Sequence, residues 1–423
     1  MSYRSNSIYY YSFLIILITV FRNSIIPGSS FFIGKENIII VTLFGLCILM
    51  SLNLKEFFNY NVIILNKENR LIFLAFITLC FSTIAYNIQE LSKIAYLVRY
   101  LSFCVLFITY FYLLPKFVMN RPYYFSKIIK MFSIYVFILA FYGLLAFFGG
   151  FNPQGTFHSF VHSILRHPNY ASPIFVIGAM CTAYYYLDSK DILNNMSRVF
   201  YVFAFFVDVV AIFLTYSRNS IFAILVFCIL LSFFVFRKKV LFYLPVFLIS
   251  LPYFAFSFVT AKGFGSMMSR LLLLIPAYQM MAANTTRLIW GYGITNTFKV
   301  YLDYMILYDV VENDIQNPHN AFVSAVLMFG MIFVAVLSLF YVLLLFKGTL
   351  RSFKSKNKKE QLYIGFLVSA IGTCFALGIF ESQLVMTEYN IIQPFLFFSG
   401  LLYASLRSKI FINSENFGIV SKQ

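Results

Sequence analysis

Residues 199–236 read VFYVFAFFVDVVAIFLTYSRNSIFAILVFCILLSFFVF, and only Asp208 and Arg218 in that stretch carry charge. Crossing the hydrocarbon of a bilayer takes about 20 mostly apolar residues. The stretch therefore divides into two spans, 199–216 and 219–236, with Arg218 at the turn between them. Lipid offers backbone N–H and C=O groups no partner, so both spans must be helical.

The rest of the chain repeats this pattern. Of 423 residues, 61% are hydrophobic and only 11% are charged. A soluble domain of this size has no core large enough for so much apolar surface, whereas lipid is itself an apolar solvent. Phe and Tyr number 55 and 31, in part as interfacial belts. Further spans are read near 8–26, 37–54, 71–88, 94–114, 129–149, 170–187, 240–258, 320–346, 361–380 and 390–406. The expected fold is all-α: a single polytopic membrane domain over 1–423, with about 12 transmembrane helices and one large, partly helical loop at 259–318. The first run, Ile8 to Ile26, is too long for the core of a signal peptide and has a weak cationic lead, so it is read as a retained helix.

The net charge of +17 does not point to nucleic acid, because the charges fall between apolar spans rather than on one face. They set orientation instead, since Lys and Arg gather on the cytoplasmic side. With both termini inside, most of the 32 Lys and Arg residues are cytoplasmic, including the dense run from Lys347 to Lys359. The outer segments keep Lys35, Lys93, Arg166, Arg218, Lys262, Arg270, Arg287 and Lys299. All four histidines, His158, His162, His167 and His319, then lie outside, with the loop at 259–318. Six cysteines sit inside apolar runs without zinc or redox spacing, and no disulfide is expected.

The outer face carries the residues with chemistry. Arg218 lies in Leu-Thr-Tyr-Ser-Arg-Asn-Ser, at the hydrocarbon boundary, where an unpartnered charge costs roughly 1–3 kcal/mol. Arg287 lies in Thr-Thr-Arg-Leu-Ile-Trp-Gly-Tyr-Gly beside the chain's one Trp, and Arg270 lies earlier in the same loop. Each reads either as an interfacial anchor or as part of an anion clamp, since guanidinium binds phosphate oxygens through a planar fork. His319, in Asn-Pro-His-Asn-Ala-Phe, opens the helix that re-enters the membrane, as Arg166-His167-Pro168-Asn169 opens an earlier one. An imidazole there is either structural or a general base working near neutral pH. His158 and His162 have the i, i+4 spacing of a metal pair, but no carboxylate lies nearby, so no metal site is expected. Asp208 lies mid-span, and a buried pair with an arginine such as Arg99 accounts for it.

Four short motifs occur in order: Arg166-His-Pro-Asn before a span; Leu-Thr-Tyr-Ser-Arg-Asn-Ser between spans; Arg287 ahead of Gly291-Tyr-Gly293; and Pro318-His319-Asn320 followed by Phe329-Gly330. In these the chain resembles the superfamily of O-antigen ligases and O-antigen polymerases (Wzy-type), membrane glycosyltransferases that finish bacterial surface polysaccharides. The likeness covers roughly Thr156 to Gly330, and the first five spans match in hydropathy alone. It implies an undecaprenyl-diphosphate-linked glycan donor, a pyrophosphate held by Arg218 and Arg287, and His319 at the reaction centre. Asn219 stands where many relatives have Gly.

From these residues the expected function is an O-antigen or surface polysaccharide polymerase. It would be an inverting, metal-independent glycosyltransferase of the bacterial inner membrane, with both termini cytoplasmic and the active site periplasmic. His319 is the expected catalytic base. Arg218, Arg287 and Arg270 are the pyrophosphate ligands, with Arg166, His167, Asn169 and Asn320 in support. No cofactor is expected. The partners would be the lipid-linked donor and acceptor, membrane lipids and a chain-length regulator, with no nucleic acid. A ligase, which transfers the glycan from undecaprenyl diphosphate to lipid A-core, shares donor and residues. A lipid-linked oligosaccharide flippase is the reading of a different class, but it should show charged residues lining a midplane cavity and similar halves, whereas this chain has few charges within its spans, no visible repeat and one large outer loop.

Overall fold

A computed structural model describes residues 67–86, 104, 106–120, 123–150, 161, 163, 168–236, 272–294, 296–307, 318–379 and 391–407. Among these the regular structure is all helical. The helices are α1 (Lys67–Tyr86), α2 (Leu114–Asn120), α3 (Tyr123–Phe148), α4 (Pro168–Ser189), α5 (Asn195–Leu214), α6 (Arg218–Phe236) and α7 (Leu274–Ala283). They continue with α8 (Thr285–Trp290), α9 (Asn296–Leu307), α10 (Ala321–Phe329), α11 (Met331–Lys354), α12 (Lys358–Ile379) and α13 (Ile392–Arg407). Among the described residues, 5 helices are long and apolar enough to cross a membrane: α3 from Phe125, α5, α6, α11 and α12. The expected spans at 8–26, 37–54 and 240–258 lie outside the described residues.

Asparagine sets several helix starts. Asn194 accepts the amide of Ser197 at 2.8 Å, Asn284 that of Arg287 at 3.1 Å and Asn357 that of Lys359 at 2.9 Å. Each satisfies one of the donors that a first helical turn leaves without a partner.

Helices α4 and α12 form the centre and bury residues on nearly every side. They meet where the rings of Tyr184 and Phe366 stand 4.4 Å apart. Helix α6 runs antiparallel to α12: a Cβ on Gly365 would stand 2.6 Å from the Cβ of Phe234, while at the other end Asn219 bonds to Leu377. Small residues at such crossings let helices approach closely when lipid gives no hydrophobic drive for association. Helix α4 is antiparallel to α3 and α5, and its Thr182 hydroxyl bonds Ser133 at 2.6 Å and Asp208 at 3.5 Å. Asp208 is fully buried; its described partner is this threonine, and Arg99 lies outside the described residues. On the outer sides of α3 and α5, Leu145, Phe148, Phe203 and Phe206 are exposed, as a lipid-facing surface requires.

The bundle thus has two unlike ends. At one, the α11–α12 turn is rich in lysine. There Arg351 binds Glu360 at 2.8 Å and also donates to the Ser405 carbonyl of α13, while Ser355 donates to Glu360 at 2.7 Å. At the other end lie the starts of α4, α6 and α10 and the last residues of α5 and α12. This is the motif end.

Two irregularities have local causes. Ile108–Leu113 is π-helical, with the Leu114 amide bonded to the Thr109 carbonyl. Pro115, lacking an N–H, has no bond to give the Phe111 carbonyl, and the ladder slips by one residue. The expected continuous span at 320–346 is instead two helices, α10 and α11, broken at Gly330 with φ of 86°. The break lets the Gly330 backbone press against the end of α8.

Candidate functional site

Arg218 is the first residue of α6, and it is half-buried. The turn before it is locked by side chains: the Thr215 hydroxyl donates to the Ile212 carbonyl at 2.7 Å, and the Ser217 amide donates back to that hydroxyl at 3.2 Å. Between them Tyr216 takes φ of 51°, in the left-handed region that side chains other than glycine rarely enter. One turn into α6, Ser220 bonds Ser172 of α4 at 2.8 Å, so α4 and α6 start side by side. Helix starts carry about half a positive charge each, which favours anions.

The segment before α4 reaches the same place. The Val161 amide donates to the Leu214 carbonyl at the end of α5 at 3.0 Å, and Ser163 donates to Leu139 at 2.7 Å with φ of 57°. Asn169 sits half-buried in the first turn of α4. Arg166, His167, His158 and His162, the residues of the support and metal readings, lie outside the described residues, as does Arg270.

His319 precedes the N-cap of α10 and holds φ of 47°. Asn320 uses its whole amide. Its side-chain oxygen accepts the amides of Phe322 and Val323, both at 3.0 Å, and its nitrogen donates to the Ile379 carbonyl at 2.7 Å. Asn219 donates to the Leu377 carbonyl, also at 2.7 Å. The residues that adjoin Arg218 and His319 are therefore bonded to the same last turn of α12. Among the described residues, Ser163, Tyr216 and His319 are the non-glycine residues with positive φ, and all three belong to loops at this end. Such conformations cost about 1–3 kcal/mol each and gather where function holds them.

Arg287 is placed differently. It lies in α8, one turn before Gly291; its guanidinium reaches back to the Gly291 carbonyl at 3.5 Å and lies over the Tyr292 ring at 5.8 Å. Burial pushes the Tyr292 phenol above its ordinary pKa, and it donates to the Met280 carbonyl at 2.8 Å. The turn after Arg287 caps α10 from its C-terminal side, the amides of Tyr292 and Gly293 bonding the carbonyls of Leu327 and Met328 at 2.7 and 3.0 Å. Helix α10 thus joins the two parts: His319 adjoins its start and the Arg287 turn holds its end, about 12 Å away along the helix axis. Helices α7 and α9 support that turn through a small core of Leu273, Ala277, Met280, Tyr292, Tyr301, Met305 and Leu327. The described part of the large loop is folded and helical, as its apolar runs predict.

Sequence reasoning passed over Asn219 as a contact and gave Asn320 no particular one. Only the pairing of each with a neighbouring charged or basic residue marked them. The two serines, Ser172 and Ser220, carried no signal, since their meeting depends on how α4 and α6 pack.

No curated protein sequence matches the chain. The profile of a protein family described as O-Antigen ligase matches residues 203–338, which contain Arg218, Arg287 and His319. Over these residues the chain is thus similar to O-antigen ligases, and the match supports the superfamily of O-antigen ligases and polymerases that its motifs resemble.

Proposed function

We propose that the protein is a surface polysaccharide polymerase that joins undecaprenyl-diphosphate-linked repeats at the non-cytoplasmic face of the bacterial inner membrane. The observation that carries the transferase part of this reading, common to polymerase and ligase, is the bonding of Asn219 and Asn320, neighbours of Arg218 and His319, to one helix end. An arginine and an imidazole beside three helix starts suit an anionic leaving group next to a proton transfer. The lysine-rich turn at the opposite end is the cytoplasmic side under the rule that positive loops stay inside.

In the reaction, an acceptor sugar hydroxyl attacks the anomeric carbon of the donor from the face opposite the phosphate. Its proton passes to a ring nitrogen of His319. The bond between the anomeric carbon and the phosphate oxygen breaks, and undecaprenyl diphosphate leaves with the electron pair. Arg218 anchors the pyrophosphate, with Arg287 and Arg270 reaching it from the large loop. Arginine forks do here the work that a divalent ion does in many soluble transferases. Attack from the opposite face inverts the anomeric centre.

The ligase reading draws on the description of the matched family. It shares the donor and residues and differs in the acceptor, which would be lipid A-core. The lipopolysaccharide of a deletion strain separates the two. Loss of the polymerase leaves a single repeat on the core. A core with no repeat at all would refute the polymerase reading in favour of the ligase.

A further inference from the structure

We infer that Asn219 and Asn320 are a paired set of positioning residues that hold Arg218 and His319 at a common level on the end of α12; the inference rests on the function proposed above. The last carbonyls of a helix lack partners within it and carry its negative end. In α12, two of these, Leu377 and Ile379, each take a neutral side-chain amide at 2.7 Å. The donors come from different helices and stand next to the two residues expected to act on the substrate. A carboxamide facing a carbonyl must present its nitrogen, which fixes both amide orientations.

The geometry is more than a helix cap. Asn320 would cap α10 with its oxygen alone, and the bond to Ile379 is additional. That bond pins the residue following His319, whose left-handed backbone aims the imidazole. Asn219 is nearly fully buried and follows Arg218 directly, so its bond sets the depth at which the guanidinium leaves α6. Losing one bond would let one residue shift while the other stays, and a displacement of about 1 Å in a reacting geometry can cost on the order of 10²-fold in rate.

Aspartate separates the two jobs of Asn320. Asn320→Asp keeps the oxygen that caps α10, since Asp and Asn cap equally well, but turns an oxygen toward Ile379. Asn219→Asp does the same toward Leu377. The full-length protein in nanodiscs is assayed for binding of undecaprenyl diphosphate and for thermal melting. Polymer formed in cells is measured per amount of folded protein.

For Asn320→Asp the expected result is binding within about twofold of wild type and a modestly lowered melting midpoint, with polymer per amount of folded protein reduced roughly 10–100-fold. For Asn219→Asp, undecaprenyl diphosphate binding should weaken about tenfold, because the anchor and not the base has moved. Where an aspartate variant does not accumulate, Asn219→Ser and Asn320→Ser remove the amide without adding charge, with the same expectations. Wild-type binding and polymer in both variants would overturn the inference. So would parallel losses that merely follow the amount of folded protein. Arg218→Ala and His319→Ala are run alongside. If they impair binding or transfer while the asparagine variants do not, the positioning role alone falls. If they too change nothing, the proposed function falls and takes the positioning role with it.

Discussion

Gly291 and Gly330 lie backbone against backbone: a Cβ on Gly291 would stand 2.5 Å from the Met328 carbonyl oxygen and 2.7 Å from the Gly330 nitrogen. Both have positive φ, 81° and 86°, with ψ of 168° and 160°, a region open essentially to glycine alone. Gly330→Ala should therefore destabilise the protein by more than about 2 kcal/mol, from the combined strain and clash. Thermal melting in detergent reads this. An unchanged midpoint would mean the two segments are not interlocked.

Arg218→Lys keeps the charge but loses the planar fork. Transfer should fall by about tenfold or more, because a point charge does not replace bidentate contact with a pyrophosphate. Polymer length and amount in a complemented deletion strain give the measure. Full complementation by lysine would reduce Arg218 to an interfacial anchor.

His319→Ala should slow transfer by roughly 10²–10⁴-fold, the usual size of a general-base contribution, and leave donor binding largely intact. Arg287→Ala should weaken binding and rate together, since the pyrophosphate is charged in ground and transition states alike. A binding loss in the histidine variant as large as that in the arginine variant would contradict the division of roles.

Chelation tests the metal-free mechanism. Activity in purified membranes should survive excess EDTA. Loss of activity with recovery on adding Mg²⁺ or Mn²⁺ would instead return attention to His158 and His162.

Orientation can be read with cysteine accessibility. In a variant whose native cysteines are replaced, Asp309→Cys should react with an impermeant thiol reagent in intact spheroplasts, while Lys356→Cys should react only after lysis. The reverse pattern would move the motif end to the cytoplasm.

Much of this was legible in the sequence because lipid simplifies the code. A run such as 199–236 has one stable backbone solution in hydrocarbon, so α5, α6 and the turn at Arg218 follow from hydropathy and length. The candidate site was legible in part, since polar residues at span ends stand out against an apolar background. What was hidden depends on how helices pack. The span read as continuous from 320 to 346 is broken because Gly330 meets the backbone at Ile289 and Trp290, some forty residues earlier in the chain. No local pattern encodes that meeting. Asn219 read as a departure from the glycine of many relatives, and its bond to the Leu377 carbonyl becomes visible only in the packed bundle. Arg287 was legible as a loop arginine ahead of the Gly291–Gly293 turn, but its bond to the Gly291 carbonyl and its place over the Tyr292 ring were not.

Ser163, Tyr216 and His319 each hold a left-handed backbone at the motif end. Glycine or asparagine would relax all three positions, and at 319 it would also remove the imidazole on which the proposed transfer depends. A library of variants selected only for surviving high temperature should drift toward glycine or asparagine at 163, 216 and 319, and its survivors should be well-folded proteins that no longer make polymer.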